Sequence, residues 1–313
     1  MVEVNFFLRF FGGRMMFRTL TVLLVAPFIF AGCAVSSGAE QTQGKTYNVE
    51  TLRYWPKKVD ETSGLARHGG YLWTINDSGG KASVYAFDEQ TYEFSKRVDL
   101  KGAENIDWES LAQDEQSLYV ADCGSNLSHR RVLQIYRVAW ADLESADNKG
   151  DVTFDKLIYS YDDRPSYPKP EENNFDCEAV TLVDGQIWVF TKNRGDLKSR
   201  LYLLDPKARS QIVAPTMTLP VHGLITAADY YSATGKLALL GYKKASVFGQ
   251  SFVWLVDVKE GILDWQSARY HLLLPYGQWE AVSWESSSSL LVTSEDSPLG
   301  RQQVARIVLE QTP

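Results

Sequence analysis

The chain is poor in the residues that most often carry enzyme chemistry. Among its 313 residues there are only three cysteines and four histidines. None of the histidines recurs at an equivalent point of a repeat, which argues against an acid–base mechanism built on histidine. The signatures of serine hydrolases, of His-Glu-x-x-His enzymes and of phosphate-binding glycine loops are also absent from the sequence. These absences exclude the common catalytic motifs and leave binding sites and carboxylate metal sites open.

Two further absences concern partners and secondary structure. No block of basic residues occurs and the formal net charge is −7, so nucleic acid is not expected as a partner. No stretch keeps a helical period over about ten residues. Short apolar runs rich in Val, Ile, Leu, Tyr and Trp alternate instead with Gly, Asp, Asn and Ser. This pattern is typical of strands and predicts an all-β protein.

The first 33 residues have the features of an export signal rather than of a folded domain. Arg14 and Arg18 precede an apolar run, and small residues then lead to Cys33. The ending Ala31-Gly32-Cys33 resembles a bacterial lipobox, which implies cleavage before Cys33 and a diacylglycerol on its sulfur. The alternative is an uncleaved membrane anchor, but the run is short for the about 20 residues that span a bilayer.

These features divide the chain into three predicted regions: a signal peptide over 1–33, a flexible tether over 34–45 and a folded domain over 46–313. No second membrane-spanning candidate follows Cys33 in the sequence, so the lipid is the expected membrane attachment. Ala34 stands where an Asp often retains lipoproteins at the inner membrane. We therefore expect a cell-envelope protein with an outer-membrane address, in a cell that has such a membrane.

A short phrase recurs five times and sets the expected architecture. In each copy an acidic or polar triplet leads into an apolar strand, and a spacing of roughly fifty residues is typical of propellers or solenoids. The copies begin at Glu61, Asp107, Asp176, Thr226 and Gln278. Read forward, the first four copies give four strands each and the last gives three, while a spare strand, Tyr47–Tyr54, precedes them all.

We therefore predict a single β-propeller of five four-stranded blades. The ring would close by adding the N-terminal strand to the last blade, which also protects the sheet edges. Six blades are the alternative, if the long segment from Val138 to Asn174 contains a degenerate blade.

Acidic side chains recur where the first strand of each unit begins. Side chains at i and i+2 of a strand share a face, so Asp107 should point with Glu109, and Asp176 with Glu178. First strands line the channel of a propeller, where converging acids repel unless a cation lies among them. Oxygen ligands of this kind suit Ca²⁺, or Mg²⁺ at lower coordination number. The candidate metal or ligand residues are Glu61, Asp107, Glu109, Asp176, Glu178 and Glu280.

The acids have an alternative role as strand caps that accept hydrogen bonds from neighbouring backbone N–H groups. A second polar set follows the second strands and should open on the same face as the channel mouth, with turn formation as its alternative. Lys192 could bind an anionic substrate, although pairing with Glu178 is the interpretation that we favour. The candidate ligand-binding residues are Asn76, Asp77, Asp122, Asn126, Arg130, Lys192, Asp229 and Glu295.

The two remaining cysteines predict a link between neighbouring units. Cys123 follows the second strand of unit two, and Cys177 opens the first strand of unit three, so both should lie at the same end of the channel. An even pair in an exported protein is typical of a disulfide. Two unrelated small core residues are the alternative.

Several of these phrases together resemble one family. They are Ser63-Gly-Leu, Leu72-Trp-Thr-Ile-Asn-Asp-Ser-Gly79, Asp107-Trp-Glu109, Asp122-Cys-Gly-Ser-Asn126 followed by Arg130, and Asp176-Cys-Glu-Ala179 with Thr191-Lys192. Over residues 60–300 the chain resembles a group of largely uncharacterised, secreted bacterial β-propellers, which usually have Asp where this chain has Ser125. The resemblance implies a propeller with a shared polar site and no established activity. It is more distantly similar to calcium-using phytase-like, gluconolactonase-like and apyrase-like propellers.

Two classes of function follow from the sequence. The first is a lipoprotein whose acidic channel face binds a small-molecule or protein ligand, with a divalent cation in the site. The second is a calcium-dependent hydrolase of phosphate esters or lactones, in which the carboxylates hold the metal and a bound water attacks. The scarcity of histidine and the lack of nucleophile motifs favour the first class.

Overall fold

The computed structural model describes residues 43–167, 169–244, 249–298 and 300–309. The predicted signal peptide, Cys33 and the tether up to residue 42 therefore lie outside the described residues. The helical content of these ranges is one α-helix, α1 (Trp140–Ser145), and two 3-10 turns, Lys57–Val59 and Pro170–Glu172. None of the described helices is long and apolar enough to cross a membrane.

The strands of the described ranges form hydrogen-bonded sheets of eight, five, four and five strands. Within them, groups of four antiparallel strands recur along the chain, and these groups are numbered below as sheets one to five. The chain begins with β1 (Gln43–Tyr54), which is the fourth strand of the last sheet. The first sheet contains β2 (Thr62–His68), β3 (Tyr71–Asn76), β4 (Ser83–Asp88) and β5 (Phe94–Leu100). The second contains β6 (Trp108–Gln113), β7 (Ser117–Asp122) and β8 (Leu133–Ala139), then, after the short β9 (Gly150–Val152), β10 (Asp155–Tyr161).

The last three sheets repeat this pattern. The third contains β11 (Cys177–Val183), β12 (Gln186–Thr191) and β13 (Ser199–Leu204), then, after the short β14 (Ser210–Val213), β15 (Pro215–Leu219). The fourth contains β16 (Leu224–Tyr231), β17 (Lys236–Lys243), β18 (Gln250–Lys259) and β19 (Ile262–Leu274). The fifth contains β20 (Trp279–Ser286), β21 (Ser289–Ser294) and β22 (Gln303–Val308), with β1 outside β22.

The inner strands β2, β6, β11, β16 and β20 form a closed ring. Each lies beside the next along the chain, and β20 lies beside β2. The N-terminal strand completes the last sheet, because Val49–Tyr54 pairs antiparallel with β22. The all-β propeller and its closure by the N-terminal strand are thus confirmed. The strand is longer than predicted, since it starts at Gln43, inside the expected tether, and its first half pairs in parallel with β19.

The same edge contact recurs elsewhere in the ring. Short β9 and β14 precede the outer strands of sheets two and three, and each pairs in parallel with the outer strand of the preceding sheet, β5 and β10. The segment 210–219 therefore contains two strands, β14 and β15, that belong to different sheets. Outer edges are covered in this way by the neighbouring sheet.

Apolar side chains fill the spaces between successive sheets. One buried cluster lies at each junction around the ring, and the junction of sheets five and one is filled by Trp55, Leu65, Phe87, Leu291 and Val304. Aromatic side chains of the strands are buried in these clusters, Trp73, Tyr119, Trp188, Trp254 and Trp284 among them. This packing fixes the ring that carries the polar residues of the channel.

Candidate functional site

Every inner strand begins with a β-bulge. The register between the first and second strand of each sheet shifts at this point, so that one strand carries extra residues. A bulge bends the strand and redirects the side chain of the inserted residue. The inserted residues are Ser63 with Gly64, Glu109, Glu178, Thr226 and Glu280.

The structure corrects the prediction that Asp229 lies on the same channel face as the other candidate residues. Thr226, and not Asp229, is the equivalent of Glu178 and Glu280, because the bulge of β16 lies between Ile225 and Ala227. Asp229 is near the other end of its strand and lines a cavity at the opposite mouth of the channel. Its carboxylate accepts a hydrogen bond from the Trp284 N–H at 2.7 Å, and burial raises its pKa to about 7.

A second ring of residues lies near the ends of the second strands, just after the positions that pair with the start of each bulge. The positions opposite the start of each bulge are Asn76, Asp122, Thr191, Gly241 and Ser294. The next residues along the chain are Asp77, Cys123, Lys192, Tyr242 and Glu295. Four of them, Asp77, Lys192, Tyr242 and Glu295, line one cavity at this mouth of the channel. The fifth, Cys123, bonds to Cys177 of the next sheet with a Cα–Cα distance of 5.4 Å, which confirms the predicted disulfide.

The two rings enclose a cavity of about 160 Å³ at the mouth of the channel. Five carboxyl groups line it, together with one lysine, one tyrosine and a few neutral polar groups. The lining residues are Ser63, Asp77, Glu109, Asn126, Glu178, Lys192, Tyr242, Gln278, Glu280 and Glu295.

One side of the cavity has the geometry of a metal site. Carboxylate oxygens of Asp77, Asp107 and Glu109 lie within 4.8 Å of one another. Glu109 is almost completely buried. No lysine or arginine of the described ranges forms an ion pair with these three residues. We refer to Asp77, Asp107 and Glu109 as the acidic triad.

The triad is held by its neighbours rather than by direct charge pairing. The Asp107 N–H donates to Asp122 Oδ1 at 3.0 Å, and Arg130 Nη2 lies 3.0 Å from the same Asp122 oxygen. Asp122 and Arg130 were predicted to bind ligand. In the structure they hold the backbone at Asp107 in place. Gly124 leaves room for two of the triad carboxylates, because a Cβ there would lie 2.3 Å from Glu109 Oε1 and 2.5 Å from Asp107 Oδ2.

Burial and mutual repulsion raise the pKa values of these acids. The pKa of Asp107 rises to about 7, mainly through burial and then through the charges of Asp77 and Asp176. The pKa of Glu109 lies well above its usual value because of burial and the nearby charge of Glu178. A cation bound between the triad oxygens would favour their ionised forms.

The opposite side of the cavity is charge-compensated. Lys192 Nζ lies 2.9 Å from Glu178 Oε2, which is the pairing that we favoured. Arg194 pairs with Asp176, lies 3.7 Å from Glu178 Oε1 and donates to Asn126 Oδ1 at 2.5 Å. Burial alone lowers the pKa of Lys192, but the charges of Glu178 and Glu280 raise it well above its usual value. Lys192 and Arg194 thus form ion pairs with the acids of sheet three, whereas the triad forms none with the described lysines and arginines.

The remaining predicted residues divide between the cavity and its rim. Glu280 and Glu295 line the cavity, and the pKa of Glu295 rises to about 8 through burial and then the charge of Glu280. Glu61 is exposed outside the cavity lining, where its backbone oxygen accepts from the Asp77 N–H at 2.9 Å. Asn76 turns away and donates to the Lys58 carbonyl at 3.0 Å. Glu61 and Asn76 are therefore not brought to the cavity wall.

Sequence reasoning missed several residues of the site. Ser63, Tyr242, Gln278 and Arg194 were not among the candidates, and Asp77 was assigned to a ligand loop rather than to a metal site. Tyr242 could have been found, because it directly follows the second-strand residue that pairs with the start of the bulge, as Asp77 and Glu295 do. Arg194 carried no such signal, since it lies two residues beyond the repeated position.

Comparisons with known proteins give no functional assignment for this chain. The chain matches no known protein family, and no curated protein resembles it in sequence. Solved structures with a similar fold include a protein from Parabacteroides distasonis described as a candidate glycoside hydrolase, with 10% identity, 88% of this chain and 95% of that chain covered, and a TM-score of 0.49. Another is CoXyl43, a GH43 β-xylosidase/α-arabinofuranosidase from a compost metagenome in complex with xylotriose in a calcium-free form, with 12% identity, 84% and 94% covered, and a TM-score of 0.45.

A hypothetical protein from Leishmania major is similar to the same degree, with 13% identity, 83% and 91% covered, and a TM-score of 0.44. At these identities and scores no chemistry is transferred to this chain. The fold and the site define a β-propeller with an acidic channel mouth, and none of these comparisons supports the resemblance to secreted bacterial propellers.

Proposed function

We propose that this protein is a propeller that binds one Ca²⁺ ion at the acidic triad and uses it to hold a ligand at the channel mouth. The observation that carries the proposal is the convergence of three carboxylates, one almost fully buried, without an ion pair to any described lysine or arginine. Unpaired buried carboxylates are costly, and a bound cation removes both their repulsion and part of their desolvation penalty.

The spacing of the triad suits calcium. Ca²⁺ binds oxygen at about 2.3–2.6 Å, so ligands on one ion can be up to about 5 Å apart. Three carboxylates supply only part of the six to eight oxygen ligands that calcium takes. The rest would come from water or from an oxygen of the ligand. A bound Ca²⁺ would attract anionic oxygens of a ligand, and Lys192 and Tyr242 line the same cavity.

The cellular setting of this binding is part of the proposal. The lipobox-like Ala31-Gly32-Cys33 supports an envelope lipoprotein anchored through Cys33. The Cys123–Cys177 disulfide supports an oxidising compartment, because disulfides persist outside the cytosol. The ligand, a small molecule or a protein, would then be met at the cell envelope.

Calcium-linked stability tests the proposal. A ligand that binds only the native state stabilises it by RT ln(1 + [L]/Kd), about 2.7 kcal/mol at a hundredfold excess over Kd. We expect the melting temperature to rise with millimolar Ca²⁺ and to fall again with chelator. Glu109→Gln should abolish the rise, since it removes the buried charge of the triad.

The matched control is Glu61→Gln, the same substitution at an acid outside the cavity lining. It should keep the calcium response. A wild-type melting temperature that ignores Ca²⁺, Mg²⁺ and chelator would refute the cation site. An equal loss of response in both variants would refute the assignment to the triad.

A second candidate function is a metal-dependent hydrolase of phosphate esters or lactones. The observation that favours it is the shared cavity of the triad and Lys192, in which a cation could activate water while the lysine binds the anionic group. A calcium-dependent hydrolysis screen with these substrates separates the two functions. Turnover that disappears in Glu109→Gln would establish the hydrolase, and binding without turnover would exclude it.

A further inference from the structure

The Cys123–Cys177 disulfide lies next to the residues that hold the acidic triad. Cys123 stands between Asp122, which accepts the Asp107 N–H, and Gly124, where a Cβ would lie 2.5 Å from Asp107 Oδ2. The N–H groups of Cys123 and Gly124 both donate to the Asp107 carbonyl, at 3.1 and 3.0 Å. The backbone beside the disulfide therefore sets where Asp107 lies.

The loop over residues 122–126, which we call the cysteine loop, is also tied to sheet three. Its Ser125 N–H donates to Asp176 Oδ1 at 2.6 Å. Asn173 Nδ2 donates to the carbonyls of Ser125 and Asn126, at 2.8 and 3.1 Å. The disulfide is the covalent part of this contact, and both of its cysteines are completely buried. The position of the cysteine loop thus depends on sheet three as well as on its own sheet.

On the side of sheet three, the disulfide is attached among the charge-compensated acids. Cys177 stands between Asp176 and Glu178. Arg194 pairs with the first of these acids and Lys192 with the second. The bond therefore joins the backbone beside the triad to the backbone that carries the opposite side of the cavity. A disulfide keeps the two Cα atoms within about 4.4–6.8 Å, so neither side can move away alone.

The position of Cys123 within its repeat supports a role in the site. In the other four units the equivalent residue lines the cavity: Asp77, Lys192, Tyr242 and Glu295. Unit two has a cysteine there, and it bonds to the next sheet and is not part of the cavity lining. The same unit supplies two of the three triad acids, Asp107 and Glu109. A position that elsewhere forms the cavity wall is thus used here to fix the loop beside these acids.

We propose that the Cys123–Cys177 disulfide is a positioning element of the calcium site, because it holds the cysteine loop and thereby the triad at calcium-binding distance. This inference rests on the proposed function. The triad oxygens lie within 4.8 Å, which is close to the separation of about 5 Å that one calcium ion allows, so a small shift of the loop weakens binding. A loop that is ordered before the ion arrives also lowers the entropic cost of binding.

The ring is expected to fold without the bond. Arg130 holds the cysteine loop from its own sheet, because it donates to the Gly124 carbonyl at 2.8 Å and to the Asp122 carbonyl at 3.0 Å. The cysteines also belong to a buried apolar cluster between sheets two and three, which includes Ala121, Leu133, Ile135, Phe175 and Val189. Loss of the bond should therefore loosen the loop locally and leave the five sheets in place.

Calorimetric titration of the full-length protein with Ca²⁺ tests the proposal. The variant carries Cys123→Ala and Cys177→Ala, so that neither cysteine of the bond remains as a thiol. We expect its dissociation constant for Ca²⁺ to rise about tenfold or more, the effect usual for residues that hold metal ligands in place. A second variant, Cys123→Val with Cys177→Ala, restores part of the lost volume in the apolar cluster and should show the same loss of affinity.

Leu263→Ala is the matched control for stability. Leu263 is buried near the hairpin between β18 and β19, at the end of sheet four opposite the calcium site. Its truncation should lower the melting temperature without calcium by an amount similar to removal of the disulfide. The dissociation constant for Ca²⁺ should stay at the wild-type value, because the loop and the triad are untouched.

The outcomes separate this inference from the proposed function. A wild-type protein that binds no Ca²⁺ overturns both. Wild-type affinity in the two cysteine variants overturns this inference alone and leaves the calcium site standing. An equal loss of affinity in Leu263→Ala would show that stability, and not the position of the loop, sets the affinity. Failure of both cysteine variants to fold, measured by circular dichroism, would show that the bond serves the fold. Either result also overturns the inference.

Discussion

Gly124→Ala is the sharpest perturbation of the acidic triad. The added methyl would lie 2.3 Å from Glu109 Oε1 and 2.5 Å from Asp107 Oδ2. Neither distance is compatible with van der Waals contact, so both carboxylates must withdraw by roughly 1 Å. The φ angle of Gly124 is not positive, and alanine adds no backbone strain at this position.

The size of the effect follows from the ligand geometry. The triad oxygens lie within 4.8 Å, which is close to the largest separation, about 5 Å, that one calcium ion allows. Displacing two of the three carboxylates by roughly 1 Å removes them from that limit. We expect calcium affinity to fall at least about tenfold, or about 1.4 kcal/mol. The overpacked cation-free protein should lose about 1–3 kcal/mol of stability.

Calorimetric titration with Ca²⁺ and thermal unfolding with and without chelator measure both effects. Gly80→Ala is the matched control, because Gly80 lies in the loop that follows Asp77, has no positive φ, and a Cβ added there would meet nothing within 4 Å. It should change neither quantity. Calcium affinity that survives Gly124→Ala would show that the ion, if bound, does not lie between Glu109 and Asp107, and would refute the reasoning.

Three other predictions follow from the sequence and the site. Cys33→Ser should stop incorporation of labelled fatty acid, and unchanged labelling would exclude lipidation at this residue. Cys123→Ser should cost about 2–4 kcal/mol in the free energy of unfolding, because the disulfide closes a long loop between sheets two and three; denaturant titration measures it, and a wild-type value would contradict it. Glu295→Gln should gain stability relative to wild type as the pH rises from about 4.5 to about 8 without calcium. The raised pKa of Glu295 means that its protonated form stabilises the fold and that this stability is lost as the pH rises. Melting temperatures across this range check the prediction, and a constant difference between the two proteins would contradict it.

The residues of the site were found by their recurrence. Glu109, Glu178 and Glu280 each lead into an apolar strand of the repeated phrase, and the phrase is visible because each copy must bury one strand against the next. The Cys123–Cys177 bond could be predicted for the same reason, since both cysteines occupy fixed positions of neighbouring units. Because burial recurs with the repeat, the position of a residue within its unit could be predicted from the sequence.

The roles of residues that depart from the repeat could not be predicted in this way. Asp229 was predicted to be a ligand-binding residue, whereas the bulge at Thr226 decides which side chain of unit four turns to this end of the channel. A bulge depends on how two strands pair, and sequence alone does not fix that register. Arg194 was missed because a long side chain reaches Asp176 from a position outside the repeat.

By itself the sequence determined the all-β propeller, the closing role of the N-terminal strand and the recurrence of acids at one end of the strands. These features depend on local alternation of apolar and polar residues and on their repetition along the chain. Only the tertiary structure decided which acids are neutralised. Lys192 and Arg194 compensate sheet three and leave Asp77, Asp107 and Glu109 together without an ion pair. Charge balance depends on distances across the channel between residues far apart in the chain, and only the closed ring sets those distances.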